Sequence, residues 1–153
     1  MTVHVTSARI KAIAHATEDP HKIVRAFHRL YPDENFEPRI EKAVVKGHFG
    51  NPITSLTAAI RGLQAERFFF NLWNTLSSSD REILFGEVGS RLDEQGVLHL
   101  RLDKQGCLLG TIVLNDQDPV KVEVSFRSVL NSEEEIRALL RSTKELRSDR
   151  VRC

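Results

Sequence analysis

The stretch from Val3 to Ala16 sets the first constraint on this chain. His4, Thr6, Ala8, Ile10, Ala12 and Ala14 share one parity and are mostly small and apolar. Val5, Ser7, Arg9, Lys11, Ile13 and His15 share the other and are mostly polar and basic. Successive side chains of a strand point to opposite faces, so the alternation predicts a strand with one buried and one wet face. Small residues on the inner face call for a helix packed close against the sheet.

The remaining periodicities build on that strand. Asp19 as cap and Pro20 at the first helical position start a helix. It buries Ile23, Val24, Phe27, Leu30 and Tyr31, and Pro32 ends it. Its opposite face carries Lys22, Arg25 and Arg29 at i, i+3 and i+7. Phe36 to Lys46 reads as a second strand and Ile53 to Arg61 as a third, a helix start being the alternative for the latter. Gln64 to Ser77 reads as a helix whose stripe (Ala65, Phe68, Phe69, Leu72, Trp73, Leu76) is core, because helical period explains it without a ligand. Ser79-Asp80-Arg81-Glu82 is a capping box that opens a helix running to about Leu92. Val97 to Leu102, Gly110 to Leu114 and Val120 to Phe126 read as strands, with a break or one helical turn at Asp103 to Gly106. Ser132 caps a last helix with Glu133, Glu134 and Glu135 at its positive end. Helices gathered on one face of a mainly antiparallel sheet give an α+β, two-layer fold in one domain over residues 1–153, with a basic C-terminal helix and tail from about 132.

Composition narrows the function classes. Of the 153 residues 41% are hydrophobic and 28% charged, as in an ordered soluble chain, and no apolar run reaches a membrane-spanning length. Only Cys107 and Cys153 are cysteines, which points to a reducing cytoplasm rather than a disulfide framework. The net charge is +1, so the whole chain gives no nucleic-acid signal. Its distribution says more. Residues 1–67 balance to +3, residues 68–135 to −6 and residues 136–153 to +4. If the two ends meet in space, they form a basic face opposite an acidic one.

No hydrolase, zincin, nucleotide-loop or paired-cysteine motif is present, so an enzyme reading has no positive support, and no cofactor is implied. Nothing in the spacing of His48, His99 and Asp103 forces a metal site. Two stretches remain. Lys46-Gly47-His48-Phe49-Gly50-Asn51-Pro52-Ile53 is either a wide turn or a glycine-rich loop whose amides cradle an anion. Leu100-Arg101-Leu102-Asp103-Lys104-Gln105-Gly106 is either a polar turn or a strand end offering a phosphate-pairing lysine beside a glutamine.

Together these stretches resemble a known family. Thr17-Glu18-Asp19-Pro20, Gly47 to Ile53, Asp80-Arg81, Arg91 to Gly96, Leu100 to Gln105, Gly110 and Asp118-Pro119 occur in the order seen in an archaeal family of small RNA-binding proteins. That family is described as a predicted exosome-associated subunit, with a fold like the large-subunit ribosomal protein that holds 5S rRNA. The resemblance spans roughly residues 4–127. Gly106-Cys107 departs from it, standing where two alanines are usual.

The resemblance implies a non-catalytic RNA-binding protein of the archaeal cytoplasm, acting in RNA processing or degradation, with exosome subunits as further partners. On that reading the loop glycines let the backbone approach phosphates while Lys46, His48 and Asn51 donate to them. Arg9, Lys11, Lys22, Arg25, Arg29, Arg101, Lys104 and Gln105 extend the surface. Structured RNA is the expected ligand, because no exposed aromatic pair on a strand offers base stacking. The rival reading is a protein-interaction or assembly module working through the open sheet face or strand edges, a homodimer included.

Overall fold

The structure, a computed structural model, describes residues 4–31, 38–47, 50–127 and 133–142. Strand β1 (His4–Ala14) buries Ala8, Ile10, Ala12 and Ala14, as the alternation predicts. Near its start the parity changes. A register shift between Val5 and Ser7 turns Val5 into the core and leaves His4 and Thr6 outside. Such a bulge inserts one residue and resets every side chain beyond it.

Helix α1 (Pro20–Arg29) starts as its sequence dictates: the Asp19 carboxylate accepts from the backbone N–H of His21 at 3.0 Å. Strands β2 (Ile40–Lys46) and β3 (Pro52–Arg61) form a hairpin, so the helix alternative for 53–61 falls away. Helix α2 (Gly62–Thr75) follows β3 without a loop, and Gly62 makes the corner at φ +62°. Its whole predicted stripe, Leu76 included, is buried. Fully burying one such side chain contributes about 1.5–3 kcal/mol.

Two local expectations shift. Helix α3 (Ser78–Gly86) is capped by Ser77, whose hydroxyl accepts from the Asp80 N–H, two residues before the expected cap; it breaks at Glu87 before the short α4 (Val88–Arg91). After β4 (Val97–Leu102), the segment expected to hold a strand at 110–114 instead begins with helix α5 (Lys104–Leu109). Asp103 caps it and Gly110 ends it at φ +87°, leaving Leu114 a single bridge to Leu102. Strand β5 (Val120–Arg127) and helix α6 (residues 133–142) complete the described chain.

The sheet order is β2-β3-β1-β5-β4, and every neighbouring pair is antiparallel. Ile23, Ala26 and Phe27 of α1 join Phe68, Phe69 and Leu72 of α2 and Ile136 and Leu140 of α6 in one core. That core lies on the sheet face of Ile10, Leu56, Ala58, Leu98, Leu100, Val122 and Val124. The fold is α+β with two layers, and the second sheet face is open. No described helix is long and apolar enough to cross a membrane.

Candidate nucleic-acid interface

Pairing register assigns each charged strand residue to a face. Residues opposite one another across antiparallel strands point the same way. Lys11 of β1 lies opposite Lys121 of β5, which lies opposite Arg101 of β4. Three cations on three neighbouring strands therefore form a row across the open face. In the next row Arg9 lies opposite Glu123, and Glu123 opposite His99. Arg61 and Arg127 stand on the same face further along their strands. The strand residues of this face thus include Arg9, Lys11, Arg61, Arg101, Lys121 and Arg127 against Glu41 and Glu123.

The acids neutralise part of that charge. Glu123 pairs with Lys11 at 2.6 Å, and Asp116 lies 3.8 Å from Arg101. At the β4 edge His99 meets Asp93 at 2.8 Å, and this hydrogen bond, followed by that from the Val97 amide, holds the Asp93 carboxyl below its ordinary pKa. A depression of about 340 Å³, lined by Arg91, Asp93, His99 and Arg101 among others, adjoins that end of the row. Lys121 has no ion pair among the described residues. Like charges directly opposite on a sheet cost roughly 0.2–1 kcal/mol, so the row exists against its own repulsion.

Of the residues singled out in the sequence, the fold unites Arg9, Lys11 and Arg101. It separates the others. Lys22, Arg25 and Arg29 stand on the outer face of α1, on the helix-bearing side of the sheet. Arg29 also donates to the Leu108 carbonyl, tying α1 to α5. Lys46 pairs with Pro52 and shares the parity of Leu56, so it too points to the helix-bearing side. His48 lies outside the described residues. Asn51 is exposed in the hairpin turn.

The glycine loop has a structural explanation. The Gly47 amide donates to the Asn51 carbonyl at 2.6 Å and the Gly50 amide to the Gly47 carbonyl at 2.9 Å, so both are spent inside the hairpin rather than presented to an anion. A Cβ at Gly47 would meet Ile53 Cδ1 at 2.8 Å, and Gly50 sits at φ +81°, so each glycine answers a demand of the turn itself.

Lys104 corrects a sharper expectation. Its side chain is 2% exposed and does not face solvent. The ammonium donates to the Ile13 carbonyl at 3.0 Å and to Glu18 at 2.9 Å, and lies 2.6 Å from Asp118. It joins the end of β1, the approach to α1 and the approach to β5. A buried ammonium must find its partners inside the protein, so this one cannot also pair a phosphate. Gln105 beside it is exposed. Burial raises the pKa of Glu18 and of Asp118. The His15 amide and Lys104 acting on Glu18, and Lys104 and His15 acting on Asp118, more than offset it, so both end below their ordinary values. His15, Glu18 and Asp118 offer ligand atoms within 4.8 Å of one another, but Lys104 already serves as their cation. Of the metal trio weighed in the sequence, His99 is held by Asp93 and Asp103 caps α5, each within its own local structure.

Catalytic groups gain little from the geometry. Burial, with the charge of Asp103 second, pushes the Cys107 thiol up to about 12, far from nucleophilic range. A cavity of about 400 Å³ between α2, α3 and α6 is lined by Trp73, Ser78, Arg81, Glu82, Phe85, Gly86, Leu140 and Arg141, with no histidine or cysteine among its described walls.

With this geometry in place, comparison with known proteins is informative. A family model described as RNA binding matches residues 7–126, from β1 to β5. The chain belongs to this RNA-binding family. One relative, "RNA-binding protein PAB1135" of Pyrococcus abyssi, is 34% identical over 124 residues, covering 78% of this chain and 80% of its own. Another relative, MJ0213 of Methanocaldococcus jannaschii, is 29% identical and covers 89% of this chain and 95% of its own. Among solved structures, the DUF54 protein AF2318 of Archaeoglobus fulgidus superposes with a TM-score of 0.74 at 32% identity, covering 92% of this chain and 99% of its own. These family members come from archaea. Sequence reasoning missed Lys121, Arg61 and Arg127. The alternation of Val120 to Phe126 marked a strand, but only the register with β1 shows which cations it aligns.

Proposed function

We propose that this protein binds structured RNA through the open face of its sheet, catalyses no reaction, and acts in RNA processing or degradation in the archaeal cytoplasm. The observation that carries the reading is the row Arg101–Lys121–Lys11. Strands lie about 4.7–4.9 Å apart, so the row spans roughly 10 Å, long enough to meet successive phosphates of one strand. Its internal repulsion is relieved when a polyanion lies across it. Among the described strand residues of that face the rings are His4, opposite Arg127, and His99, opposite Glu123, with no Phe, Tyr or Trp beside them, so stacking on bases has no aromatic platform there. Recognition then rests on phosphates and RNA shape. The family resemblance adds exosome subunits as partners and the 5S-rRNA-binding ribosomal protein as a fold analogue, with the chain acting as one RNA-binding unit.

The test is a titration of hairpin and single-stranded RNA at two salt concentrations, comparing wild type with Lys11→Ala/Lys121→Ala. The double variant is expected to bind the hairpin more weakly, with a log–log salt slope shallower by about 0.7–0.9 per lost phosphate contact. Unchanged affinity and slope would remove the sheet face from consideration. A second reading is a protein partner at the edge strand β2, where Val44 and Val45 are 69% and 54% exposed. It takes over if the wild type binds neither RNA at low salt.

A further inference from the structure

The outer face of α1 is not absorbed by the sheet-face reading. Its exposed side chains are His21, Lys22, Arg25, His28 and Arg29, and the helix contains no acidic residue. Helices of surface domains usually intersperse charges of both signs, because cations three and four residues apart repel. Here Lys22 and Arg25, and Arg25 and Arg29, stand at those spacings. Lys22 also sits in the first helical turn, where the helix dipole disfavours a cation. Lys22 and Arg25 have no ion pair among the described residues. Lys42 and Lys46 of β2 point to the same side of the sheet by register. These choices work against the helix and resemble those in the Arg101–Lys121–Lys11 row.

The two basic surfaces cannot act as one. Ile23, Ala26 and Phe27 anchor α1 on the core face, so its cations point away from the sheet face. A helix about 10–12 Å across, plus the sheet, separates them. A rigid RNA helix lying on one surface does not reach the other.

We infer that the α1 face is a second phosphate-binding surface, and that one protein molecule holds two RNA segments at once, one on each side of its sheet. The inference rests on the sheet-face reading for its first site. Its second site stands on α1 alone. The function it adds is bridging: two structured RNAs, or two distant helices of one RNA, are brought within the thickness of the protein.

The experiment uses the full chain and two hairpins carrying donor and acceptor dyes. Energy transfer between the hairpins is expected to rise as protein is added and fall again in protein excess. Sedimentation should give two hairpins per protein chain in RNA excess. Lys22→Ala/Arg25→Ala replaces only exposed side chains. It should abolish transfer and reduce the stoichiometry to one, the hairpin that stays bound being the one that Lys11→Ala/Lys121→Ala weakens. Circular dichroism checks that the variant is folded.

Several outcomes overturn the inference. One is a wild-type stoichiometry of one with no transfer. Another is a stoichiometry of one in which both double variants weaken the same hairpin, meaning that one RNA wraps around the protein. A third is transfer that survives Lys22→Ala/Arg25→Ala while light scattering shows a dimer, because the second copy then supplies the second site. A fourth is capture by anionic phospholipid vesicles, lost in Lys22→Ala/Arg25→Ala, with one hairpin per chain throughout. If Lys11→Ala/Lys121→Ala leaves hairpin affinity intact while Lys22→Ala/Arg25→Ala lowers it, the sheet-face reading fails, and bridging across the sheet fails with it.

Discussion

Lys104 and Lys121 stand at opposite extremes of what a lysine can do in this fold. Lys104 is buried and holds three oxygens from three segments of the chain. Lys121 is exposed between Lys11 and Arg101 and has no carboxylate partner among the described residues. The first satisfies its charge inside the protein; the second leaves it for something outside. Charge in a sequence therefore has no function until register and burial are known, and the lysine that looked functional at a strand end proves structural.

The largest expected break in this comparison is Lys104→Met. It leaves Glu18 and Asp118 facing each other without a cation. Removing one partner of a buried pair costs about 3–5 kcal/mol, and the half-exposed Asp118 sets the effect near the lower end, about 3 kcal/mol. For a chain of this size that is a fall in Tm of roughly 6–12 °C, measured by a thermal melt. RNA affinity of the folded protein should not change.

Acid sharpens the same point. Glu18 and Asp118 have folded pKa values below their ordinary 4.5 and 3.8. Their contribution to stability is thus complete above those values and is lost as pH falls through the lower folded ones. Urea midpoints for the wild type should drop between pH 6 and pH 3. Lys104→Met should make that limb shallower without removing it, since Lys104 lowers both groups while the His15 amide still acts on Glu18 and the His15 ring on Asp118. An equally steep limb in the variant would show that other carboxylates govern acid unfolding.

The smallest effect is expected at Lys121. Lys121→Ala removes two like-charge contacts, so stability should hold or rise by about 0.2–1 kcal/mol while RNA affinity falls. A clear loss of stability would mean that the side chain packs as well as carries charge.

Much of the fold was legible because it follows local period. The stripe of α2, the Asp19-Pro20 start of α1 and the alternation of β1 each need only neighbours within a few residues. Failures came where choice was not local. Ser77, Ser78 and Ser79 can each cap a helix, and the observed packing uses the first. Residues 104–109 form a helix because Asp103 caps them and Gly110 ends them, in a stretch too short to show a helical stripe. At the site, Arg9, Lys11 and Arg101 were legible from strand parity. Lys121 was not, because its place beside Lys11 depends on pairing strands more than a hundred residues apart. Lys104 was misread for the same reason: its partners at Ile13 and Glu18 lie 91 and 86 positions away.

The burial of Lys104 also makes it a chemical reporter. An amine-reactive mass tag should label Lys22, Lys42, Lys46 and Lys121 in seconds and leave Lys104 unmodified until the chain opens. The slow appearance of the Lys104 tag then times that opening in a mixture, without dye or mutation. A cell that acylates its surface lysines would mark Lys104 only before the chain had folded or while it was open.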